Sequence, residues 1–286
     1  MINIAVTGAS GFVGKHLMER CTNEITFHPL SLNQLIEKNK SKLFDVSIDH
    51  VFHLAAKTYV PDSWINPHEF YQVNVMGTQR VLDFCNIQKC SLTYVSSYVY
   101  GVPQYLPIDE LHALVPNTPY NHSKFMGEEL CRFYHSAFNV DTAIIRPFNL
   151  YGPNQNTIFL IPTIVQQALL ENKISLQSLT PKRDYLFIDD FIDLLMATIK
   201  FKSCEVFNAG YGVSYSVKEI ADVVINLINK KDIEIHSANE IRNNEVMDVV
   251  ANIEKVKKIF NWSPKTNLND GLLKVIRAKQ KLTTSN

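Results

Sequence analysis

A chain of 286 residues, 46% apolar and 20% charged, is long enough to bury a large core in one domain with an appendage or in two domains. Lys+Arg and Asp+Glu balance at 28 each, so the chain lacks the basic excess of a polyanion-binding surface, and no nucleic-acid partner is expected. No apolar run reaches the roughly 18 residues of a membrane helix, no charged segment precedes the first apolar stretch, and the five cysteines are odd in number with no CxxC pair, which predicts a cytoplasmic protein with reduced thiols, no membrane partner and no metal site.

Ile2–Thr7 is apolar and β-rich, Gly8–Gly14 is a glycine turn, and His16–Cys21 begins a helix. Ile25–Leu30 reads as a second strand, Ser31–Lys40 as a short helix and His50–Leu54 as a third strand. Val73–Cys85 has helical spacing, Leu92–Val95 is strand-like, Asn121–Ser136 is helical and Thr142–Arg146 is again a strand. This alternation predicts an α/β fold, a Rossmann-type doubly wound parallel sheet with helices on both faces. Beyond Arg146 the pattern loosens. Helical stretches at Leu160–Leu170, Phe191–Ile199, Val217–Asn229 and Ile253–Phe260 alternate with brief strands such as Val206–Asn208, and Pro147, Pro153 and Pro162 mark changes of direction. The expected organisation is a sheet domain over residues 1–146, rejoined by about 186–208, and a smaller C-terminal substrate-binding lobe over 147–185 and 209–286.

The first strand runs into Gly8, Gly11 and Gly14 at three-residue spacing, and a helix follows. Glycine lets the backbone turn tightly and approach a pyrophosphate, while a helix N-terminus offers unpaired N–H groups and a positive dipole end. An ordinary strand–turn–helix joint would carry the same glycines, but the place of these directly after a clean N-terminal strand favours a dinucleotide. A phosphate loop of the Walker type is missed, because Ala9 and His16 stand where its first glycine and its Ser/Thr belong. An acid that holds the adenosine ribose is expected about 20 residues further on, at the end of the second strand. That stretch, Phe27-His28-Pro29-Leu30-Ser31, has neither acid nor arginine, so it cannot repel a 2′-phosphate and leans towards NADP over NAD.

Tyr120 and Lys124 stand four residues apart at the start of a helix, on one face. A neighbouring ammonium stabilises a phenolate, so such a tyrosine can exchange a proton with a carbinol or ketone while hydride moves to or from a nicotinamide. Upstream, Ser96 and Ser97 follow a strand, at the end of a parallel sheet where ligands bind, and can bond the reacting oxygen; a plain turn would explain them equally.

Taken together these segments resemble the extended short-chain dehydrogenases/reductases of the NAD-dependent epimerase/dehydratase group, over nearly the whole chain. Thr7–Gly14 resembles the cofactor loop, which implies Gly8, Ser10, Gly11, Phe12, Val13 and Gly14 as cofactor contacts. His53-Leu54-Ala55-Ala56 resembles the segment passing along the cofactor, which adds Ala55 and Ala56, and Asn74-Val75-Met76-Gly77-Thr78 resembles the helix behind the site. The resemblance implies Ser96, five residues before Gly101, with Tyr120 and Lys124 as the catalytic set, Lys124 also holding the cofactor. It implies Ser97, Asn149, Arg183 and Arg242 as contacts to a nucleotide-diphosphate sugar, and a homodimer built on the helices near Val73–Cys85 and Asn121–Ser136. Asp189 and Asp190 also match a family segment, but helix capping accounts for them.

Within this group, dehydratases need Asp and then Glu after the catalytic hydroxyl; here Ser97 and Tyr98 follow Ser96. The 3,5-epimerase/reductases carry a Cys in this loop and a His after the Tyr-Gly-Pro turn; here stand Tyr98 and Asn154-Gln155-Asn156. Two readings remain, a reductase of a 4-keto-6-deoxy nucleotide sugar and a nucleotide-sugar 4-epimerase, and the Arg146-Pro147-Phe148-Asn149 junction favours the first. A non-catalytic NADP sensor on the same fold would be expected to have lost the tyrosine, which is present.

Overall fold

The computed structural model describes residues 1–36, 43–230, 232–240 and 245–284. Its central sheet has six strands in the order β2-β1-β3-β4-β5-β9, all parallel: β1 (Ile2–Thr7), β2 (Ile25–Leu30), β3 (His50–His53), β4 (Ser91–Val95), β5 (Thr142–Pro147) and β9 (Cys204–Ala209). Both faces of a parallel sheet are covered, so its strands are apolar at successive positions. Ile4 and Val6 pack into one layer with Phe52, Ile145 and Phe207, whereas Ala5 joins the other with Val51, Leu92 and Tyr94. The strand order turns back at β1, flanked by β2 and β3, which opens a ligand crevice beyond the ends of β1 and β3.

Helix α1 spans Phe12–Met18, four residues earlier than His16–Cys21 suggested, because Gly11 already stands at its N-cap. Of the helix expected at Ser31–Lys40, the described part is a single 3-10 turn, Gln34–Ile36; residues 37–40 lie outside the described residues. After α2 (Val60–Ile65), the helix read as Val73–Cys85 is α3 (Pro67–Phe70), a π-helical stretch Tyr71–Met76 and α4 (Gly77–Gln88). Helix α5 (Pro119–Phe138) packs against α4 and follows β4 by a long loop.

Among the described residues the remaining elements include two smaller sheets and five helices. A three-stranded sheet orders β10 (Ser214–Ser216), β8 (Lys182–Phe187) and β6 (Asn149–Tyr151), and a pair joins β11 (Glu234–Ser237) to β7 (Lys173–Leu176). Helices α6 (Leu160–Leu170), α8 (Val217–Ile228) and α10 (Leu268–Thr284) pack on one another, while α7 (Ile188–Thr198) lies against α1 and α9 (Glu254–Phe260) against β9. Helix α10 is absent from the predicted elements, although Leu268, Leu272, Val275 and Ile276, which it buries, recur at helical spacing. Asp189 and Asp190 do not cap α7: Phe187 is at the N-cap with no side-chain bond, Asp190 accepts the Thr266 N–H at 2.8 Å, and Asp189 pairs with Lys274 at 3.5 Å.

Candidate active site

β1 ends in Gly8 at φ +72°, a left-handed conformation that suits glycine. A Cβ on Gly8 would lie 2.7 Å from the Ala55 backbone nitrogen, and one on Gly14 only 2.2 Å from the Gly8 carbonyl oxygen; on Gly11 the same contact is 3.2 Å. The three-residue spacing therefore lets α1 fold back onto the loop and the loop onto the end of β3. The first turn of α1 has no acidic residue and no side-chain cap, so its N–H groups are left for a ligand. A cleft of about 640 Å³ opens between this loop and the end of β2, lined by Gly8, Ser10, Ser31, Gln34 and Ala55 among others. Gly11, Phe12, Val13, Gly14 and Ala56 adjoin it in sequence without lining it. At its β2 side the Gln34 side chain accepts the Ser31 N–H at 2.8 Å, and among the described residues no carboxylate lines the cleft. A close-approach backbone, helix N–H groups without a side-chain cap and, among the described residues, an uncharged end to β2 fit a nicotinamide dinucleotide.

A buried hydrogen-bond chain runs from this cradle to α5. Thr78 Oγ1 donates to the Asn74 carbonyl at 2.5 Å, so the proton between His53 Nε2 and Thr78 Oγ1, 3.0 Å apart, belongs to the imidazole. Nδ1 of the neutral ring then accepts from Thr7 Oγ1 at 2.7 Å, and Thr7 accepts the Ala55 N–H at 3.2 Å. Burial, with the charge of Lys124, pushes His53 down to about 3 and holds this tautomer neutral. Asn74, in the π-helical stretch, accepts the Lys57 N–H at 2.9 Å and donates to the Lys57 carbonyl and to Ser123 Oγ, which in turn donates to the Tyr120 carbonyl at 2.7 Å. Single π-turns of this kind recur at functional sites.

Thr118 caps α5 by accepting the Asn121 N–H at 3.0 Å, which fixes the first turn and with it Tyr120. Tyr120 is half-buried; burial raises its pKa, and a hydrogen bond from the Ser97 side chain opposes that. Lys124, one turn on, is 2% exposed, with Nζ 4.3 Å from the centroid of the Tyr94 ring. Burial brings it down to about 7, against the opposing pull of Cys131 and Glu128. The unfolded chain holds the lysine proton up to about pH 10.4, the folded one only to about 7, so the unfolded state binds more protons between these values. Stability is then expected to rise with pH over 7–9, by at most about 1.4 kcal/mol per unit. Urea titrations of the cofactor-free protein at pH 7, 8 and 9 measure this, and an equal rise in Lys124→Met would count against it.

The two serines sit in different surroundings. Ser96, expected beside Tyr120, is 3% exposed and donates to Glu128 Oε1 at 2.6 Å. Ser97, expected as a substrate contact, is half-buried and is the serine whose side chain acts on the Tyr120 phenol, lowering its pKa. The reason is local. The Ser96 N–H still bonds the Ile145 carbonyl at 2.7 Å, so Ser96 continues the alternation of β4 and shares the buried face of Tyr94.

Two adjoining cavities, of about 460 and 330 Å³, share Asn149, Arg183 and Glu245. β6 pairs with β8 so that Asn149 stands opposite Tyr185, two residues along from Arg183 and hence on the same face. Tyr98, Val60 and Trp64 line the smaller cavity together with Asn117, Thr118 and Asn121. Arg183 donates to the Val246 carbonyl at 2.6 Å and ion-pairs with Glu245. The expected contact Arg242 lies outside the described residues. Asp184 faces the fold rather than a ligand, since it accepts N–H groups from Tyr211, Gly212 and Ala251. Sequence reading passed over the His53 chain, Trp64 and Glu128. Glu128 stands four residues after Lys124 on its helix face, a spacing that by itself gives no sign of its burial.

A family profile, the NAD dependent epimerase/dehydratase family, matches residues 4–210. The GDP-6-deoxy-D-talose 4-dehydrogenase of Aggregatibacter actinomycetemcomitans is 29% identical, covering 91% of this chain and 90% of its own length. The UDP-glucuronate 4-epimerase of Thermodesulfobacterium geofontis is 28% identical, covering 95% and 94%. Among solved structures, RMD from Pseudomonas aeruginosa complexed with NADPH superposes with a TM-score of 0.90 at 25% identity, covering 99% of this chain and 100% of that one.

Proposed function

The chain belongs to the NAD dependent epimerase/dehydratase family, and from that premise we propose that this NAD(P)-dependent enzyme of nucleotide-activated sugars reduces the carbon-4 ketone of a 4-keto-6-deoxy nucleotide sugar. The observation that carries this reading is the make-up of the wall beside Ser97 and Tyr120. Tyr98, Val60 and Trp64 supply phenol and apolar surface there, and among the described residues the one carboxylate and one cation lining that cavity, Glu245 and Arg183, are paired with each other. Dehydration needs a free acid to expel the 6-hydroxyl, and a uronic acid needs a free cation for its carboxylate. A 6-methyl group needs neither.

Each residue then has a task. Asn149 and Arg183 hold the diphosphate, Arg183 keeping its pair with Glu245 and turning its remaining N–H groups to the anion. Ser97 donates to the carbon-4 oxygen, and the Tyr120 phenol, kept protonated by burial, gives that oxygen its proton. Lys124 steadies the phenolate left behind, and the Gly8–Gly14 cradle holds the cofactor. The bound cofactor supplies the hydride. The uncharged end of β2 supports an exchangeable NADPH, as does the kinship with a structure complexed with NADPH.

The test is to mix the enzyme with GDP-, dTDP-, UDP- and CDP-linked 4-keto-6-deoxy sugars and NADPH or NADH. Stoichiometric loss of reduced nicotinamide is expected. Interconversion of gluco and galacto nucleotide sugars without added reductant would establish the 4-epimerase instead, the class of reaction for which the Thermodesulfobacterium UDP-glucuronate 4-epimerase is named. Ser97→Ala is expected to lower kcat roughly 100-fold and Ser96→Ala far less; the reverse order would return the catalytic hydroxyl to Ser96.

We further place the enzyme in the cytoplasm as a homodimer paired through α4 and α5. Cys131 and Tyr134 are turned inward, but Phe133 is 57% exposed and Met126, Phe138 and Ile87 are exposed beside it. Among the described residues no helix is long and apolar enough to cross a membrane. Light scattering is expected to give twice the chain mass at micromolar concentration and the single-chain mass for Phe133→Glu; wild-type monomer would remove the dimer.

A further inference from the structure

Glu128 is fully buried on the face of α5 that carries Tyr120 and Lys124, two turns and one turn away. Its Oε1 accepts from Ser96 Oγ at 2.6 Å and from Arg146 Nε at 2.8 Å. Its Oε2 accepts from Arg146 Nη2 at 2.6 Å and from Arg132 Nη2 at 3.2 Å. Neither Ser96 nor Arg146 lines a ligand cleft, yet together they bracket the loop that does the chemistry. Ser96 directly precedes Ser97. The Arg146 guanidinium lies over the Tyr100 ring, 4.8 Å from its centroid, and Tyr100 is further fixed by donating to Asn208 Oδ1 at 2.6 Å. The segment carrying Ser97 and Tyr98 is thus pinned at both ends by one carboxylate–guanidinium unit. Arg146 also stands three residues before Asn149, at the entry to β6.

The unit has an electrostatic side. The groups that act on Lys124 are the Tyr94 ring from β4, the neutral His53 from β3, and Tyr120, Glu128 and Cys131 along its own helix. Glu128 is the carboxylate among them. A buried ion pair is weak support for stability as such, because desolvation offsets most of its attraction. Its placement beneath the reacting groups asks for another explanation.

Building on the carbon-4 chemistry above, we propose that Glu128 is a positioning residue for proton transfer. Through Ser96 and Arg146 it holds the Ser97 hydroxyl against the Tyr120 phenol, and its negative charge favours the Lys124 ammonium.

The experiment compares wild type, Glu128→Gln and the charge-free pair Glu128→Leu/Arg146→Met. The pair covers the case in which Glu128→Gln, left with an uncompensated guanidinium, fails to fold, since apolar replacement of a buried ion pair keeps folds intact. In each folded variant kcat is expected to fall by about 100-fold, as for a misplacement near 1 Å, with NADPH Kd and substrate KM within about threefold of wild type. In free enzyme labelled with [ε-13C]lysine, the Lys124 resonance, assigned by its loss in Lys124→Met, is expected to titrate at lower pH in each variant than in wild type. A purely structural Glu128 would lower Tm and move neither quantity. A folded charge-free pair with kcat within threefold of wild type, or an unmoved Lys124 titration, overturns the proposal. Absence of wild-type turnover on every nucleotide sugar would instead remove the carbon-4 reading, and the lysine titration would still decide the role of Glu128.

Discussion

Tyr120→Phe is expected to lower kcat by about 1,000-fold while NADPH binds with a Kd within twofold of wild type. The substitution removes one oxygen and keeps the ring, so the edge-on contact with Phe70, at 6.3 Å between centroids, survives and α5 keeps its first turn. What is lost is the proton donor to the carbon-4 oxygen, and a positioned acid of this kind contributes roughly 10²–10⁴ in rate. Ser97 cannot replace it, since a hydroxyl that must itself become an alkoxide is a much weaker acid than a phenol. Lys124→Met differs in kind. It removes the charge that steadies the phenolate and empties a site that is almost fully buried, so both turnover and cofactor affinity are expected to fall. Single-turnover absorbance at 340 nm and NADPH fluorescence titration separate the two effects. Turnover of purified Tyr120→Phe within tenfold of wild type would remove Tyr120 from the chemistry.

The parts of this site that could be read from sequence are those whose geometry is local. A glycine spacing, a strand leading into it and a Tyr–Lys pair at helical distance are set by the 3.6- and 2-residue periods of the backbone, and each is found where those periods put it. The parts that could not be read depend on contacts across the fold. Whether Ser96 or Ser97 meets Tyr120 is decided by how far β4 stays in register with β5, which the Ser96 N–H reveals by bonding Ile145. Glu128 reads as a solvated residue of an amphipathic helix until β5 delivers Arg146 beneath it. Asn74 sits in a stretch that a helical period describes well, but one extra residue per turn there frees its side chain to imitate a strand partner for Lys57. His53 looks like one more residue of a buried strand, and only the fixed proton on Thr78 reveals which of its nitrogens donates.

The glycine loop gives the second large effect. Gly14→Ala is expected to weaken NADPH binding at least tenfold and to cost about 1–3 kcal/mol of stability, the range for forcing a methyl group into a packed site. The new Cβ would stand 2.2 Å from the Gly8 carbonyl oxygen and under 3 Å from the Ala9 backbone, so no side chain can yield and the loop itself must move. Any movement opens the gap between Gly8 and Ala55, the side of the cradle that lines the dinucleotide cleft. Gly11→Ala is the internal control, because its Cβ meets the same oxygen at 3.2 Å, a contact that a shift of a few tenths of an ångström relieves. Gly8→Ala should resemble Gly14→Ala for a different reason, combining a left-handed φ with a 2.7 Å contact to backbone nitrogen. A tenfold loss is only about 1.4 kcal/mol, small enough that fluorescence titrations on all three variants must be paired with their melting temperatures. If Gly14→Ala bound NADPH as wild type does while Gly11→Ala did not, the fold-back of α1 onto the loop would not be what shapes the cradle.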